Sequence, residues 1–186
     1  TSLFGVKLDL IDLPLSVRKP TQLKEERDEL EGKLRSLQTD KKALTEQQEI
    51  GVIGDEVQLS GAQQVATFLK EKDSLETLLP AMNNLLAQQK GLSATTGDAV
   101  QIGNLMGKAM MGQVDALKRV GISFSEAEAN VIKYGTEQEK AAMLAQVIQN
   151  NVGDMNAELA KTDSGKQQQL VNTLGDMKEE LGAMGS

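Results

Sequence analysis

Glycines interrupt a long run of helix-forming sequence, and this pattern most constrains the fold. Apolar residues recur three or four apart, as in Ile102, Leu105 and Met106, which is the spacing of one helix face. The glycines lie at positions 91, 97, 112, 121, 135, 153 and 165. Such intervals allow helices of about two to four turns. We predict an all-α fold: a compact bundle of short helices over residues 54–182, preceded by a longer coiled-coil-like helix.

Local signals predict where several of these helices begin. The three-residue spacing of a capping box occurs in three pairs: Asp73 with Glu76, Ser125 with Glu128, and Thr136 with Glu139. We expect an extended piece at residues 56–59 before a helix capped by Ser60. Proline removes a backbone donor and crowds the preceding turn, so Pro80 predicts a kink or a restart within its helix.

Residues 21–50 carry a leucine heptad. The four leucines, seven residues apart, are Leu23, Leu30, Leu37 and Leu44. The companion positions of the seam are Arg27, Leu34 and Lys41, so a coiled coil formed here would be weak. Two interpretations stay open at this point: a short oligomerising coiled coil, and one amphipathic helix that packs on its own domain.

Residues 1–20 form a separate arm or linker in this interpretation. Val6, Leu8 and Leu10 alternate with charged residues like a short strand, and the pattern then breaks. An extended arm that packs on a neighbour and a frayed tail are both compatible with it. The chain begins with threonine instead of methionine, and we expect it to be a segment of a longer protein.

Composition argues against several functional classes. The 186 residues include no cysteine and no histidine, which removes thiolate and imidazole chemistry, and 2% aromatic residues offer few surfaces for stacking bases or sugars. A net charge of −7 disfavours binding to a phosphate backbone. No apolar run reaches the 18 residues of a membrane span. We expect neither an enzyme nor a cofactor, no specific nucleic-acid site, and membrane contact only through other parts of a full-length protein.

One stretch superficially resembles a phosphate-binding loop. Gly103 and Gly107 are separated by three residues instead of four, and Lys108 is followed by Ala109 instead of Ser or Thr. The two glycines share a helix face, which favours close packing of another helix. Methionines lie at positions 106, 110, 111 and 143. They indicate an apolar core more readily than an adaptable binding groove.

A family resemblance rests on the order of several motifs. Residues 102–112 read IGNLMGKAMMG, and residues 116–124 read ALKRVGISF. A helix at 137–152, a Gly-Asp-Met break at 153–155 and a tail at 164–182 follow in order, and Leu-Leu-Pro at 78–80 precedes them. This arrangement over residues 54–182 resembles bacteriophage (prophage) tail tape measure proteins. The matching positions are Gly107, Lys108, Ala109, Gly112, Leu117, Arg119, Gly121, Ile122, Phe124, Gly153, Gly165, Gly175, Glu180 and Gly182.

The resemblance implies a structural protein of tail assembly. Such a protein occupies the tail lumen, sets the tube length and leaves ahead of the DNA. Its expected partners are the tail tube, the tail assembly chaperone and the tail tip, with a possible homo-oligomer through the leucine heptad. Its expected locations are the virion tail lumen and, during assembly, the bacterial cytoplasm. Because helices broken by glycine fold compactly, we expect an anchoring or assembly domain instead of the measuring rod. A membrane-interacting module and a cell-wall hydrolase are the rival interpretations.

Overall fold

The computed structural model describes residues 20–185, and this part of the chain is helical without a β-strand. The predicted all-α fold is confirmed. The predicted arm at residues 1–20 lies outside the described residues except for Pro20. The α-helices are α1 (Pro20–Ile50), α2 (Asp55–Ala66), α3 (Lys72–Lys90), α4 (Thr96–Met110), α5 (Glu126–Tyr134), α6 (Glu137–Val152), α7 (Met155–Ala160) and α8 (Asp163–Met184). Two short 3-10 helices occupy Gly91–Ser93 and Val114–Val120.

Contacts divide the chain into two units, with the boundary between Lys42 and Ala43. Most of α1 belongs to the first unit, where it is one uninterrupted helix. Its first residue is Pro20, a position that tolerates proline because the first helical amide has no partner in the helix. Ion pairs one turn apart, Arg27 with Glu31 and Lys33 with Glu29, lie on its exposed surface.

The second unit is built around α3. The side chains of Leu78, Met82, Leu85 and Leu86 on this helix are at most 1% exposed. Helices α6 and α7 pack on α3, while α2 packs along α4. Other fully buried residues of this core include Ala99, Met106, Leu117, Ile132, Leu144 and Ile148. Met106 and Met110 are therefore core residues, whereas Met111 is exposed.

Glycines bring α2 and α4 into close contact, as the spacing of Gly103 and Gly107 predicted. A Cβ atom on Gly103 would come within 2.7 Å of the carbonyl oxygen of Gly61. At Gly107 it would collide with the ring of Phe68. The two helices approach closely at Gly103 because it carries no side chain, and the missing side chain at Gly107 leaves room for the ring of Phe68, which follows α2.

A buried amide network joins the turn at residues 51–54 to the core. The Oδ1 atom of Asn156 accepts hydrogen bonds from the backbone amides of Val52 (2.8 Å) and Ile53 (3.3 Å). The amide of Asn156 in turn donates to Oδ1 of Asn84 at 3.0 Å. Asn156 is 3% exposed, so these bonds satisfy polar groups that water does not reach. The network fixes the turn that follows α1.

Two of the three predicted capping boxes are confirmed. Ser125 with Glu128 begins α5, and Thr136 with Glu139 begins α6. The prediction that Asp73 and Glu76 form a capping box is wrong, since α3 already begins at Lys72. The free amides near that helix start are satisfied from another helix, because the carboxylate of Glu137 accepts from Lys70 (3.0 Å) and Glu71 (2.9 Å).

The prediction of an extended piece at residues 56–59 is wrong. Helix α2 begins at Asp55, and its first turn carries two carboxylates that favour a helix amino terminus. Ser60 lies inside this helix and donates to the carbonyl oxygen of Glu56 at 2.8 Å instead of capping. Pro80 also lies inside one continuous helix, α3, so of the two predicted alternatives the restart does not occur and the kink stays a prediction.

Five of the seven glycines predicted to interrupt helices do so, and the prediction is wrong for the other two. Gly91, Gly112, Gly121 and Gly153 have positive φ angles between 58° and 91° just after helices, a conformation that disfavours other residues. Gly135 also ends a helix. The glycines at 97 and 165 instead lie in the first turns of α4 and α8, because threonines at 95 and 162 cap those helices just before them.

Candidate interaction surfaces

The central family-motif residues build a packed corner of the domain. Ala109, Leu117 and Ile122 are buried, and Phe124 packs partly buried against the core. The amide of Ile122 donates to the carbonyl oxygen of Leu117 at 3.1 Å and closes the turn after the second 3-10 helix. Lys108 is half-buried and Arg119 is exposed. This corner holds helices together through its buried apolar residues.

The remaining family-motif residues lie toward the carboxyl terminus, and their surroundings differ. Gly165 is buried, and a Cβ atom there would collide with the backbone of Leu159 and Ala160. At Gly175 and Gly182 an added Cβ would meet no atom within 4 Å, and Glu180 is exposed. The first of these glycines therefore serves packing, while the later residues lie on the open surface of α8.

The stretch that resembles a phosphate-binding loop is the interior of a helix. Residues 103–109 all lie within α4, whose backbone amides are used in helical hydrogen bonds. A phosphate-binding loop instead needs free amides before a helix that follows a strand. The geometry of residues 103–109 is that of a helix-packing face.

The described carboxyl groups with a shifted pKa are all stabilised as carboxylates. The Thr95 hydroxyl and the Lys90 ammonium, 3.0 Å away, lower the pKa of Asp98. The backbone amide and hydroxyl of Ser125 lower the pKa of Glu128, and Lys118 lowers that of Asp115. A general acid needs the opposite shift, toward a raised pKa. Among residues 20–185 no group of three carboxylates is placed to hold a metal ion.

The predicted seam on α1 is exposed along its middle part. Leu30 is 59% exposed and Leu37 is 66% exposed, and the companion residue Leu34 is also exposed. Leu23 is half-buried. The side chain of Leu44 lies outside the described residues. The oligomeric coiled coil stays a prediction: Leu30, Leu34 and Leu37 are exposed, while the companion positions Arg27 and Lys41 are charged.

Helix α8 faces its own domain with polar side chains. Nε2 of Gln169 donates to the carbonyl oxygen of Gly51 at 2.9 Å, and Nδ2 of Asn172 donates to that of Val52 at 3.3 Å. Gly165, Gln169 and Asn172 lie on one helix face, at successive steps of four and three residues. This polar face attaches α8 to the turn at residues 51–54.

The opposite face of α8 is apolar and open. Its side chains are 55% to 84% exposed, and we call the following five residues the α8 stripe: Leu170, Leu174, Met177, Leu181 and Met184. The spacing alternates four, three, four and three, which is the heptad pattern of a coiled-coil seam. The stripe is absent from the sequence predictions, although its spacing is visible in the sequence. No helix of the described chain is long and apolar enough to cross a membrane.

Comparisons with known proteins do not assign this arrangement to a family. No family model, no curated protein and no solved structure matches the chain. The functional interpretation therefore depends on the packed domain and on the two exposed helix faces.

Proposed function

We propose that this chain is a structural segment of a bacteriophage tail tape measure protein, and that it forms a folded anchoring or assembly domain. The observation that carries the proposal is a closed, glycine-packed core with exposed apolar stripes on the long helices α1 and α8. Stripes of this kind suit contacts in a larger assembly. The order of the sequence motifs supports the choice of family.

The packing supports an anchor more than a measuring rod. A single helix of the 115 residues from 51 to 165 would span about 170 Å at ~1.5 Å per residue. Folded into a domain, a chain of this size has a radius of gyration of about 13 Å. Such a domain adds little length for its number of residues. In this proposal α1 connects or oligomerises the protein, and the second unit docks on tail proteins.

The proposed partners are the tail tube, the tail assembly chaperone and the tail tip, with other copies of the chain through the leucines of α1. The protein would act in the bacterial cytoplasm during assembly and then in the tail lumen. There it would help to set tail length and leave during DNA ejection. The proposed role is structural, with no catalytic step and no cofactor.

In-frame deletion tests this proposal in the phage or prophage that encodes the chain. Deleting residues 54–182 should abolish tails or give aberrant ones in electron micrographs, because an anchor is lost. The matched control deletes two heptads of α1, residues 23–36, which preserves the seam register. Normal tails shortened by ~1.5 Å for every deleted residue of 54–182 would contradict the anchor.

A membrane-interacting helical module is the second candidate, and the exposed α8 stripe favours it. An amphipathic helix on an anionic membrane usually carries lysine and arginine on its polar face. Helix α8 has two lysines against four carboxylates, which weakens that interpretation. Flotation with vesicles of anionic phospholipid distinguishes the two candidates, since an assembly domain should stay in the dense fraction.

A further inference from the structure

We propose that the α8 stripe is the docking surface for a second copy of this chain. The orientation of the helix is the first argument. Gln169 and Asn172 attach α8 to its own domain through hydrogen bonds to Gly51 and Val52. At 100° per residue, the stripe lies on the other side of the helix. The domain therefore leaves uncovered the face on which the helix carries its large apolar residues.

The spacing of the stripe identifies the kind of occupant. Steps of four and three residues continue from Leu170 to Met184, so side chains from a facing helix can insert between them. Such a stripe can pack against the same stripe of a second copy, because a two-fold symmetric interface uses the same surface of both chains. Two helices of the same chain satisfy this geometry without any further component.

The exposed area is sufficient for a specific contact between copies. The residues of the stripe are 55% to 84% exposed and together present roughly 600 Å² of surface. This is a contiguous apolar patch and not a set of isolated apolar residues. Two copies would bury at most roughly 1,200 Å², which reaches the lower end of stable protein interfaces. The first turns of α8 are already held on the domain, so less ordering opposes association than for a free peptide.

The charges that flank the stripe are compatible with a second copy. Val171 and Lys178 flank one side, and Thr173 and Glu180 flank the other. In a parallel pair Lys178 of one copy faces Thr173 of the other copy. In an antiparallel pair it faces Val171, and Glu180 faces Thr173. Neither direction forces two like charges together, whereas the acidic excess of α8 opposes docking on an anionic lipid surface.

Sedimentation of the full 186-residue chain tests the proposal. All proteins carry Leu37→Asp, which separates the α8 stripe from the seam on α1. In that background, Leu174→Asp with Leu181→Asp should weaken self-association at least tenfold, because charges enter the contact. Ala183→Asp is the matched control, since it adds charge to the same helix outside the stripe, and it should leave association unchanged. Far-UV circular dichroism verifies that each variant keeps its helices.

A cysteine placed in the stripe locates the contact directly, since the natural chain has no cysteine. In the Leu37→Asp background, Met177→Cys should form a disulfide-linked dimer under mild oxidation, and Ala183→Cys should not. Equal cross-linking at the two positions would overturn the proposal. So would a Leu37→Asp chain that stays monomeric from micromolar to millimolar concentration, whether or not it binds anionic vesicles. These outcomes do not depend on the role of the chain in phage tails.

Discussion

Glu137 shows how one carboxylate links two helices. It lies in the first turn of α6, and its oxygens accept hydrogen bonds from the amides of Lys70 and Glu71 before α3. Burial raises the pKa of Glu137, but the bonds from Glu71 and Lys70 outweigh this effect and hold the pKa below its usual value of 4.5. The residue therefore stabilises the fold as a carboxylate.

Replacing Glu137 should reveal this contribution and its pH dependence. A folded-state pKa below the unfolded value gives stabilisation that is complete above about pH 4.5 and is lost as the pH falls through the folded pKa. We expect Glu137→Gln to lower the free energy of unfolding by about 0.5–2 kcal/mol at pH 7, the range for a lost cap. The loss should shrink as the pH is lowered below 4.5.

Urea unfolding at several pH values measures this difference. Glu126→Gln is the matched control, because Glu126 also lies in the first turn of a helix but makes no such contact with α3. A loss in Glu137→Gln that is no larger than in the control would show that the bonds to Lys70 and Glu71 contribute nothing to stability.

At the scale of the elements, the contact between α2 and α4 depends on glycine at specific positions. We expect Gly103→Ala to destabilise the protein by about 1–3 kcal/mol, because the added Cβ lies 2.7 Å from the backbone oxygen of Gly61. Gly97→Ala in the same helix has its nearest neighbour, Oγ1 of Thr95, at 3.7 Å. That change should stabilise by about 0.4–1 kcal/mol through a less flexible unfolded chain.

Thermal unfolding of the two alanine variants provides the measurement. Opposite shifts of the melting temperature are expected, downward for Gly103→Ala and upward for Gly97→Ala. Upward shifts in both variants would mean that helix propensity and unfolded-state effects, not the contact with Gly61, determine the result.

The sequence predicts a helix well when both its start signal and its stop signal lie next to that helix in the chain. The bounds of α6 follow from the capping box at Thr136 and the stop at Gly153. The start of α3 cannot be predicted in this way, because the amides just before it are bound by Glu137, which is 66 residues away from Glu71. The capping box of Thr95 with Asp98, which begins α4, is harder to recognise because aspartate instead of glutamate returns to the cap.

The α8 stripe escapes prediction for a different reason. Gly165 predicts a helix break, and the residues up to Gly182, which include Gly175, enter the sequence prediction only as a tail of the family motif, so no long helix with an apolar face is predicted there. The helix in fact runs through both glycines, from Asp163 to Met184. The spacing of the stripe is present in the sequence itself. Only the structure shows that the polar face, through Gln169 and Asn172, is the one that contacts the domain.

At the scale of the whole molecule, the second unit consists of a buried core and an exposed carboxyl-terminal part of α8. The core residues are held by apolar packing and by the amides around Asn156. Beyond Asp176 the described side chains of α8 are exposed, including Met177, Leu181 and Met184. Stability and interaction therefore depend on different residues, and an assembly partner could engage the end of α8 without rearranging the core.

Truncation tests this separation of stability from interaction. At protein concentrations too low for self-association, a chain that ends at Asp176 should keep its free energy of unfolding within about 0.5 kcal/mol of the full chain, because it lacks ten residues whose described side chains are exposed. The slope of the urea transition should also change little, because little buried surface is removed. A chain that ends at Gly165 is the contrasting control, since it loses Gln169 and Asn172 and their bonds to the turn at residues 51–54. This shorter chain should be clearly less stable. Equal losses of unfolding free energy in the two truncated chains would contradict the idea that stability and interaction depend on different residues.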